Sequence, residues 1–199
     1  MTTKTQIRKA VSAAVSALTA EVREEAALNL AARVGSLLDL ATCAGALLDL
    51  AARTDAMPDK QPVGCAAAFM PMPDEIDTLP LVDRLLAAGW KVVMPKVEGD
   101  QMEFYPYSPG SVSCGAWGIL EPELPAVPVS ASEIDVMIVP GRAFTQAGDR
   151  LGRGKGFYDR YMSRDGFRAR TIGVCFKCQL VEVLPTEPHD MKVDEVVSC

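Results

Sequence analysis

Short apolar runs alternate with helical segments along the second half of the chain, and this alternation restricts the fold more than any other feature. IDVMIVP (134–140) and RTIGVCF (170–176) are apolar runs of strand length. A helix is predicted between them, from about Phe157 to Arg164. Strands that alternate with helices build parallel sheets. We therefore predict an α/β layer fold with a largely parallel sheet.

The rest of the chain extends the same pattern. Apolar residues at helical spacing predict a helix over 3–20, and the Ala/Leu-rich stretch 21–53 is predicted to be helical with a break near Gly45. Further strands are predicted at 63–70, 90–97, 101–108 and 193–199, with helices ending at Gly89 and spanning 179–183. The length of 199 residues suits a single domain over 1–199, in which 35–60, with its LLDLA duplication, is a helical or loop elaboration.

Composition excludes several classes of protein. The net charge of −6 argues against a general nucleic-acid binder. Every apolar stretch is shorter than the roughly 18 residues of a membrane span, so we expect no membrane partner. The six cysteines are scattered and are expected to be reduced, because one C-x-x-C pair and a single histidine make a poor zinc site. We expect a cytoplasmic protein, with an organellar transit peptide as the alternative interpretation of the Ala/Ser-rich N-terminus.

Positive charge is concentrated on a glycine-rich stretch, RLGRGKGFYDRY (150–161). The segment 142–170 carries a charge of +5, so the rest of the chain carries −11. Glycines let backbone amides approach a ligand, and a run of such amides before a helix binds phosphate. Arg150, Arg153 and Lys155 add cationic donors. The pattern predicts a polyphosphate cradle at the end of a strand, and the alternative is a flexible, solvated loop.

Known phosphate motifs do not match this stretch. The position five before Gly154 is Asp149 and Lys155 is followed by Gly156, so Walker A fails, and the G-x-G-x-G spacing is not the dinucleotide fingerprint. Asp159 and Asp190 are candidate Mg²⁺ ligands, although a first-turn aspartate is also favoured by the helix dipole alone. His189 is the single histidine and is interpreted as a loop or packing residue, with a catalytic base as the alternative.

The stretch IVPGRAFTQAGDRLGRGKGFYDRYM (138–162) resembles the signature of the 5-formyltetrahydrofolate cyclo-ligase family. KTQIR (4–8), MPDEIDT (72–78), WGILEPE (117–123) and the block 172–197 resemble other family segments in the same order. The resemblance covers nearly the whole chain. It implies a three-layer α/β/α domain with a mixed sheet, and ATP- and Mg²⁺-dependent cyclisation of 5-formyltetrahydrofolate to 5,10-methenyltetrahydrofolate, giving ADP and phosphate.

The resemblance also implies roles for individual residues. ATP-binding residues would be Lys4, Arg8, Arg150, Leu151, Gly152, Arg153, Gly154, Lys155, Gly156, Phe157 and Tyr158. Substrate-binding residues would be Met72, Glu75, Asp77, Arg153, Gly154, Lys155, Gly156 and Phe157. Lys155 and Arg153 would be catalytic, and Asp159 and Asp190 would hold magnesium. The chain departs from the family at Phe157, where many relatives have tyrosine, in the longer 35–60 stretch, and in the FMP before the acidic motif.

Two other functions stay open at the level of sequence. The chain could be a non-catalytic module that keeps the folate and nucleotide pocket, or another small-molecule kinase that uses the same loop. Phosphorylation of the formyl oxygen followed by attack of N10 needs no protein nucleophile, in keeping with the lack of an evident Ser-His-Asp or Cys-His grouping. A small-molecule folate and ATP are the expected partners, and we expect a monomer.

Overall fold

In the computed structural model of the protein, the described residues are 2–40, 62–110, 112–114, 120–122 and 126–199. The helices are α1 (Lys4–Ser16), α2 (Ala20–Leu37), α3 (Leu79–Ala87) and α4 (Phe157–Met162). The strands are β1 (Cys65–Ala67), β2 (Lys91–Glu98), β3 (Gln101–Pro106), β4 (Val112–Cys114), β5 (Leu120–Pro122), β6 (Val136–Val139), β7 (Ala143–Phe144), β8 (Arg150–Leu151), β9 (Arg170–Cys175) and β10 (Glu195–Ser198). Short 3₁₀ turns lie at Ala131–Glu133 and Lys177–Gln179.

Six strands form the main sheet, in the order β10-β9-β6-β1-β2-β3. Every neighbouring pair is parallel except β2 with the edge strand β3, which is antiparallel. The prediction of a mixed, largely parallel sheet is therefore confirmed. Two small antiparallel pairs, β4 with β5 and β7 with β8, lie outside this sheet. The β7–β8 hairpin follows the carboxyl end of β6, which is the edge of a parallel sheet where ligands bind.

Helices cover both faces of the sheet, so the predicted three layers are present. In β6, Val136 and Ile138 pack in one apolar cluster with buried residues of α1, α2 and α3. Met137 and Val139 face the opposite cluster, which contains Tyr161 and Met162 of α4. Alternate residues of a strand point to opposite faces, and β6 is buried on both, as its continuous apolar sequence predicts. None of the described helices combines the length and apolarity needed to cross a membrane.

The N-terminal helix is shorter than predicted. Thr3 begins α1 with a capping box to Gln6, and Ile7, Val11 and Val15 form its buried stripe. The predicted helix over 3–20 is wrong beyond Ser16, because Thr19 begins a second helix by accepting a hydrogen bond from the Val22 amide.

Other predicted boundaries also change. The predicted helix over 179–183 is a 3₁₀ turn at Lys177–Gln179, since the buried Gln179 side chain binds the Phe176 amide and the Gly141 carbonyl. The predicted break at Gly45 and most of the 35–60 elaboration lie outside the described residues.

Candidate active site around the glycine loop

The glycine loop, residues 152–156, connects β8 to α4. Gly154 has φ +99° and Gly156 has φ +67°, a left-handed conformation that costs L-residues strain. Gly156 is also the residue from which α4 begins. Gly154 and Lys155 are exposed, and the loop presents backbone to solvent at the carboxyl end of the sheet. The sequence expectation of an accessible glycine backbone at a strand-to-helix junction is met.

Helix α1 brings two cations to this loop. Lys4 and Arg8 lie one turn apart, and Arg8 Nε donates to the Gly152 carbonyl at 2.9 Å. Lys4 Nζ donates to Asp190 Oδ2 at 2.7 Å and lies 3.5 Å from Glu187 Oε2. Burial alone would lower the pKa of Lys4, but its pairing with Asp190 and Glu187 outweighs burial and raises it. Lys4 is therefore fully charged at neutral pH and joins the N-terminal helix to the C-terminal loop.

The two aspartates proposed from sequence lie on neighbouring segments. Asp159 Oδ1 accepts hydrogen bonds from Arg150 Nη2 at 2.7 Å and from the Met191 amide at 3.1 Å. Asp190 is the residue before Met191, and its Oδ2 also accepts from the Glu187 amide at 2.7 Å. Burial alone would raise the pKa of Asp190, but its contacts with Lys4 and the Glu187 amide outweigh burial and lower it. The fold thus places the Asp159 carboxylate in contact with the backbone of the residue next to Asp190, which is 31 residues away from Asp159 in sequence.

A small cavity opens beside Asp190. Its volume is about 170 Å³ and its lining includes Arg150, Glu187 and Asp190. Ligand atoms of Glu187, His189 and Asp190 lie within 4.8 Å of one another, so these three side chains also offer oxygen and nitrogen ligands. His189 is exposed, with Nε2 3.1 Å from Glu187 Oε2, which agrees with a loop role.

Arg150 is the buried centre of this side of the site. Its side chain is 3% exposed, it donates to Asp159, and it lies over the ring of Tyr158 at 5.7 Å. Its Nε is buried without a hydrogen-bond partner among the described residues. Burial raises the pKa of Tyr158, so that phenol stays protonated at neutral pH. Arg150 is therefore a buried residue that orients Asp159, and it is not exposed to solvent.

The remaining loop residues divide into buried and accessible ones. Leu151 is buried in the core, whereas Phe157 is half-buried with the Arg160 guanidinium 5.2 Å from its ring centroid. Arg160 also donates to the Lys155 carbonyl at 2.8 Å. The Lys155 amine has no carboxylate partner within the described part of the chain, so this exposed cation is available to a ligand.

The acidic 72–78 segment lies against the glycine loop through Arg153. Arg153 Nη2 lies 3.0 Å from Glu75 Oε1 and also contacts Asp74 Oδ1. Glu75 Oε2 accepts from the Met72 amide at 3.0 Å, which orients the carboxylate. Asp77 is exposed and its Oδ1 accepts from the Leu79 amide at 2.9 Å, at the start of α3. Of the three residues predicted to bind folate, Glu75 contacts Arg153 of the glycine loop directly, and Met72 contacts Glu75. Asp77 instead lies at the start of α3.

Sequence reasoning missed two residues of this arrangement. Asp74 contacts both Arg153 and the buried Arg142. The two missed residues, Asp74 and Arg142, lie in the segments 72–78 and 138–162. Their pairing spans 68 residues, so the sequence contains no local pattern that predicts it. Only the fold shows that they meet.

The arrangement as a whole suits an anionic ligand with a divalent cation. Cations from α1 and the glycine loop surround exposed backbone, and carboxylates stand beside them. Cationic and amide donors bind phosphate, and carboxylate oxygens are the ligands that Mg²⁺ prefers.

Comparison with known proteins identifies the family of this chain. The model of the 5-formyltetrahydrofolate cyclo-ligase family matches residues 1–199. The 5-formyltetrahydrofolate cyclo-ligase of Mycolicibacterium smegmatis is 33% identical over 138 residues, covering 66% of this chain and 71% of the relative. That of Escherichia coli strain K12 is 36% identical over 138 residues, covering 66% and 76%.

A solved structure shows the same fold. The NMR structure of Aquifex aeolicus 5,10-methenyltetrahydrofolate synthetase matches with a TM-score of 0.71 at 31% identity, covering 98% of this chain and 89% of that one. The chain therefore belongs to the 5-formyltetrahydrofolate cyclo-ligase family and is a ligase.

Proposed function

We propose that this protein converts 5-formyltetrahydrofolate to 5,10-methenyltetrahydrofolate in a reaction that consumes ATP, needs Mg²⁺ and releases ADP and phosphate. Family membership supports the folate substrate. The observation that supports nucleotide binding is the exposed glycine loop, flanked by the α1 cations and by the Lys155 amine, which pairs with no carboxylate among the described residues.

The ATP phosphates are proposed to lie on the glycine loop. Arg8 is held by the Gly152 carbonyl through Nε, which leaves its two terminal nitrogens as donors beside Gly154. Lys155 supplies a mobile ammonium, and Lys4 and Arg153 add charge at the two sides. Such donors neutralise the charge of a transferring phosphoryl group. The loop is proposed to be supported by the buried or half-buried residues on either side of it, Arg150, Leu151, Phe157 and Tyr158.

Asp159 and Asp190 are the proposed magnesium ligands. In Asp159, Oδ1 is occupied by Arg150 and the Met191 amide, which leaves Oδ2 for a cation. In Asp190, Oδ2 is occupied by Lys4 and the Glu187 amide, which leaves Oδ1. One oxygen of each carboxylate has no hydrogen bond within the described ranges, and these two oxygens, together with phosphate oxygens and water, fit the oxygen-rich shell that Mg²⁺ takes.

The folate is proposed to lie between the glycine loop and the 72–78 segment. Met72, Glu75 and Asp77 would face the pterin, and Arg153 to Phe157 would border it. Because Glu75 and Arg153 are joined, folate and nucleotide would lie on two sides of one ion pair.

The chemistry then follows from alignment. The formyl oxygen attacks the γ-phosphorus as the bond to ADP breaks, which turns a poor leaving group into phosphate. The N10 lone pair next attacks the formyl carbon, the carbon–oxygen bond breaks, phosphate leaves, and N10 loses its proton. Holding the reacting atoms in line can contribute about 7–11 kcal/mol to the barrier reduction.

Turnover tests this function. Purified protein, 5-formyltetrahydrofolate, ATP and Mg²⁺ should produce the absorbance of the methenyl product, with one ADP for each product formed. Omitting ATP or chelating Mg²⁺ should abolish product. Product formation without ATP would contradict the proposal, and folate binding without conversion would identify a non-catalytic module.

We further propose a cytoplasmic monomer. Sedimentation of the purified protein as a single 21.3 kDa species and recovery in the cytoplasmic fraction would agree, whereas a stable dimer or an organellar location would contradict these two points.

A further inference from the structure

The guanidinium of Arg153 donates hydrogen bonds to two carboxylates, Asp74 and Glu75. Nε and Nη2 donate to Glu75 Oε1 at 3.2 and 3.0 Å. Nη2 also donates to Asp74 Oδ1, and Nη1 donates to Asp74 Oδ2 at 3.4 Å. Four of its five N–H groups are used in this way. One Nη1–H therefore has no partner within the described residues and can meet a ligand, and its direction is fixed by the other four.

Asp74 is the shared member of this group. Its two oxygens contact Arg153 on one side and Arg142 Nη1 on the other. Its own side chain is 32% exposed, so it is a bridge between a buried cation and an accessible one.

Arg142 is a fixed anchor for that bridge. Its side chain is 7% exposed. Its amide donates to the Leu151 carbonyl at 2.7 Å, and its carbonyl accepts from the buried Gln179 side chain at 3.1 Å. Removing an arginine charge from water is unfavourable unless a carboxylate compensates it. Asp74 supplies that carboxylate, so its position is set by a residue that cannot move far.

The charges of the group balance. Two guanidinium groups face two carboxylates, Asp74 and Glu75, so the group adds no net charge to the site. Burial alone would raise the pKa of Asp74, but the contacts with Arg153 and Arg142 outweigh burial and lower it. Asp74 is therefore ionised throughout the neutral range and continues to hold both arginines.

We propose that Asp74, anchored by the buried Arg142, is a positioning residue that aims Arg153 at the reacting groups. This inference rests on the proposed function, in which Arg153 touches phosphate and folate. Arg142 and Asp74 touch neither and act through Arg153. Small errors in aiming a catalytic group lower turnover more than they lower binding.

A double-mutant cycle tests the proposal. Asp74→Asn should lower kcat about tenfold, with a much smaller change in the KM for ATP. In an Arg153→Ala background the same change should alter kcat by less than about twofold, since no guanidinium remains to be aimed. Arg142→Met should lower kcat in the same sense, and Arg142→Lys should restore part of it. Glu103→Gln, which breaks a comparably exposed pair with Arg164 away from the site, is the matched control and should leave kcat unchanged.

A spectroscopic measurement needs no turnover. The ¹⁵N resonance of Arg153 Nε–Hε, identified by its loss in Arg153→Ala, should shift in Asp74→Asn and in Arg142→Met but not in Glu103→Gln. Thermal melting of each variant shows whether it is folded. If Asp74→Asn does not fold, Arg142→Lys and Arg142→Met carry the test.

The outcomes distinguish a failure of the positioning role of Asp74 from a failure of the proposed function. Equal losses from Asp74→Asn with and without Arg153 would make Asp74 merely structural and overturn the proposal. An unmoved Arg153 resonance in both variants would overturn it as well. A wild-type protein with no ATP-dependent turnover would overturn the proposed function instead, while the resonance would still show whether Asp74 and Arg142 hold Arg153.

Discussion

Lys155 is the accessible cation of the glycine loop, and it makes no ion pair within the part of the chain that the structure describes. Its neighbours have structural partners: Arg8 binds a carbonyl, Lys4 binds Asp190, and Arg153 binds Asp74 and Glu75. A cation without an ion-pair partner among the described residues can pair with a ligand. The proposed ligand contact of Lys155 and the structural contacts of Lys4, Arg8 and Arg153 thus fall on different residues.

Replacing Lys155 should show this separation. Lys155→Ala should lower kcat/KM about 100-fold, because a charge-assisted phosphate contact is lost from the transition state. The melting temperature should be unchanged, since no contact of the folded state is removed. Lys9→Ala, a change at an exposed lysine of α1, is the control. Full activity of Lys155→Ala would remove this residue from the phosphate site.

Asp159 is a proposed magnesium ligand and also pairs with the buried Arg150. Its replacement should therefore affect both the Mg²⁺ dependence of the rate and the stability of the fold. Asp159→Asn should raise the Mg²⁺ concentration needed for half-maximal rate about tenfold or more. It should also lower the unfolding free energy by about 1–3 kcal/mol, because the buried Arg150 loses its carboxylate. Magnesium titration of the rate and chemical denaturation measure the two effects. An unchanged titration would exclude Asp159 as a ligand.

At the scale of elements, α1 is attached to the C-terminal loop by the Lys4–Asp190 pair. Asp190 has a lowered pKa in the folded protein, so the pair contributes full stability above the ordinary carboxyl value of 3.8. The contribution disappears as pH falls through the lower folded value. Acid should therefore weaken the attachment of α1 to the C-terminal loop.

Denaturation as a function of pH tests this attachment. Between pH 6 and pH 2 the unfolding free energy of the wild-type protein should fall more steeply than that of Asp190→Asn, which has no carboxyl group to protonate at this position. Asp165→Asn, a change at an exposed aspartate after α4, is the control and should follow the wild-type curve. Identical slopes for wild type and Asp190→Asn would show that the pair contributes nothing.

The central strand β6 leads directly into the β7–β8 hairpin, which precedes the glycine loop. Ile138 is fully buried between the sheet and the N-terminal helices, so Ile138→Ala should lower the unfolding free energy by about 2–5 kcal/mol. Val183→Ala, at a side chain that is 77% exposed, should change it by less than about 0.5 kcal/mol. Similar values for both variants would contradict the assignment of β6 to the core.

At the scale of the whole molecule, much of the fold could be predicted from sequence. The alternation of short apolar runs with helical segments predicted the largely parallel sheet, because a strand buried on both faces must be apolar throughout. Boundaries were harder: Thr19 divides the N-terminal helical stretch through a side-chain cap, and Gln179 forms a 3₁₀ turn through contacts with a distant loop. Such long-range contacts outweigh local periodicity.

The candidate site was predictable only where chemistry is local in sequence. The glycine loop is recognisable as a phosphate-site candidate from one stretch of sequence, and the spacing of Lys4 and Arg8 places them on one helix face. The link from Arg142 through Asp74 to Arg153 joins three segments that only the sheet brings together. A single sequence has no signal for such a pairing.

ATP is proposed to phosphorylate the formyl oxygen, and an isotope experiment shows whether it does. 5-Formyltetrahydrofolate labelled with ¹⁸O in the formyl group should be converted with ATP and Mg²⁺, and the inorganic phosphate analysed by mass spectrometry. Each phosphate released should contain one ¹⁸O atom, because the formyl oxygen leaves as part of the phosphate. Unlabelled phosphate, with the ¹⁸O recovered in water, would contradict it.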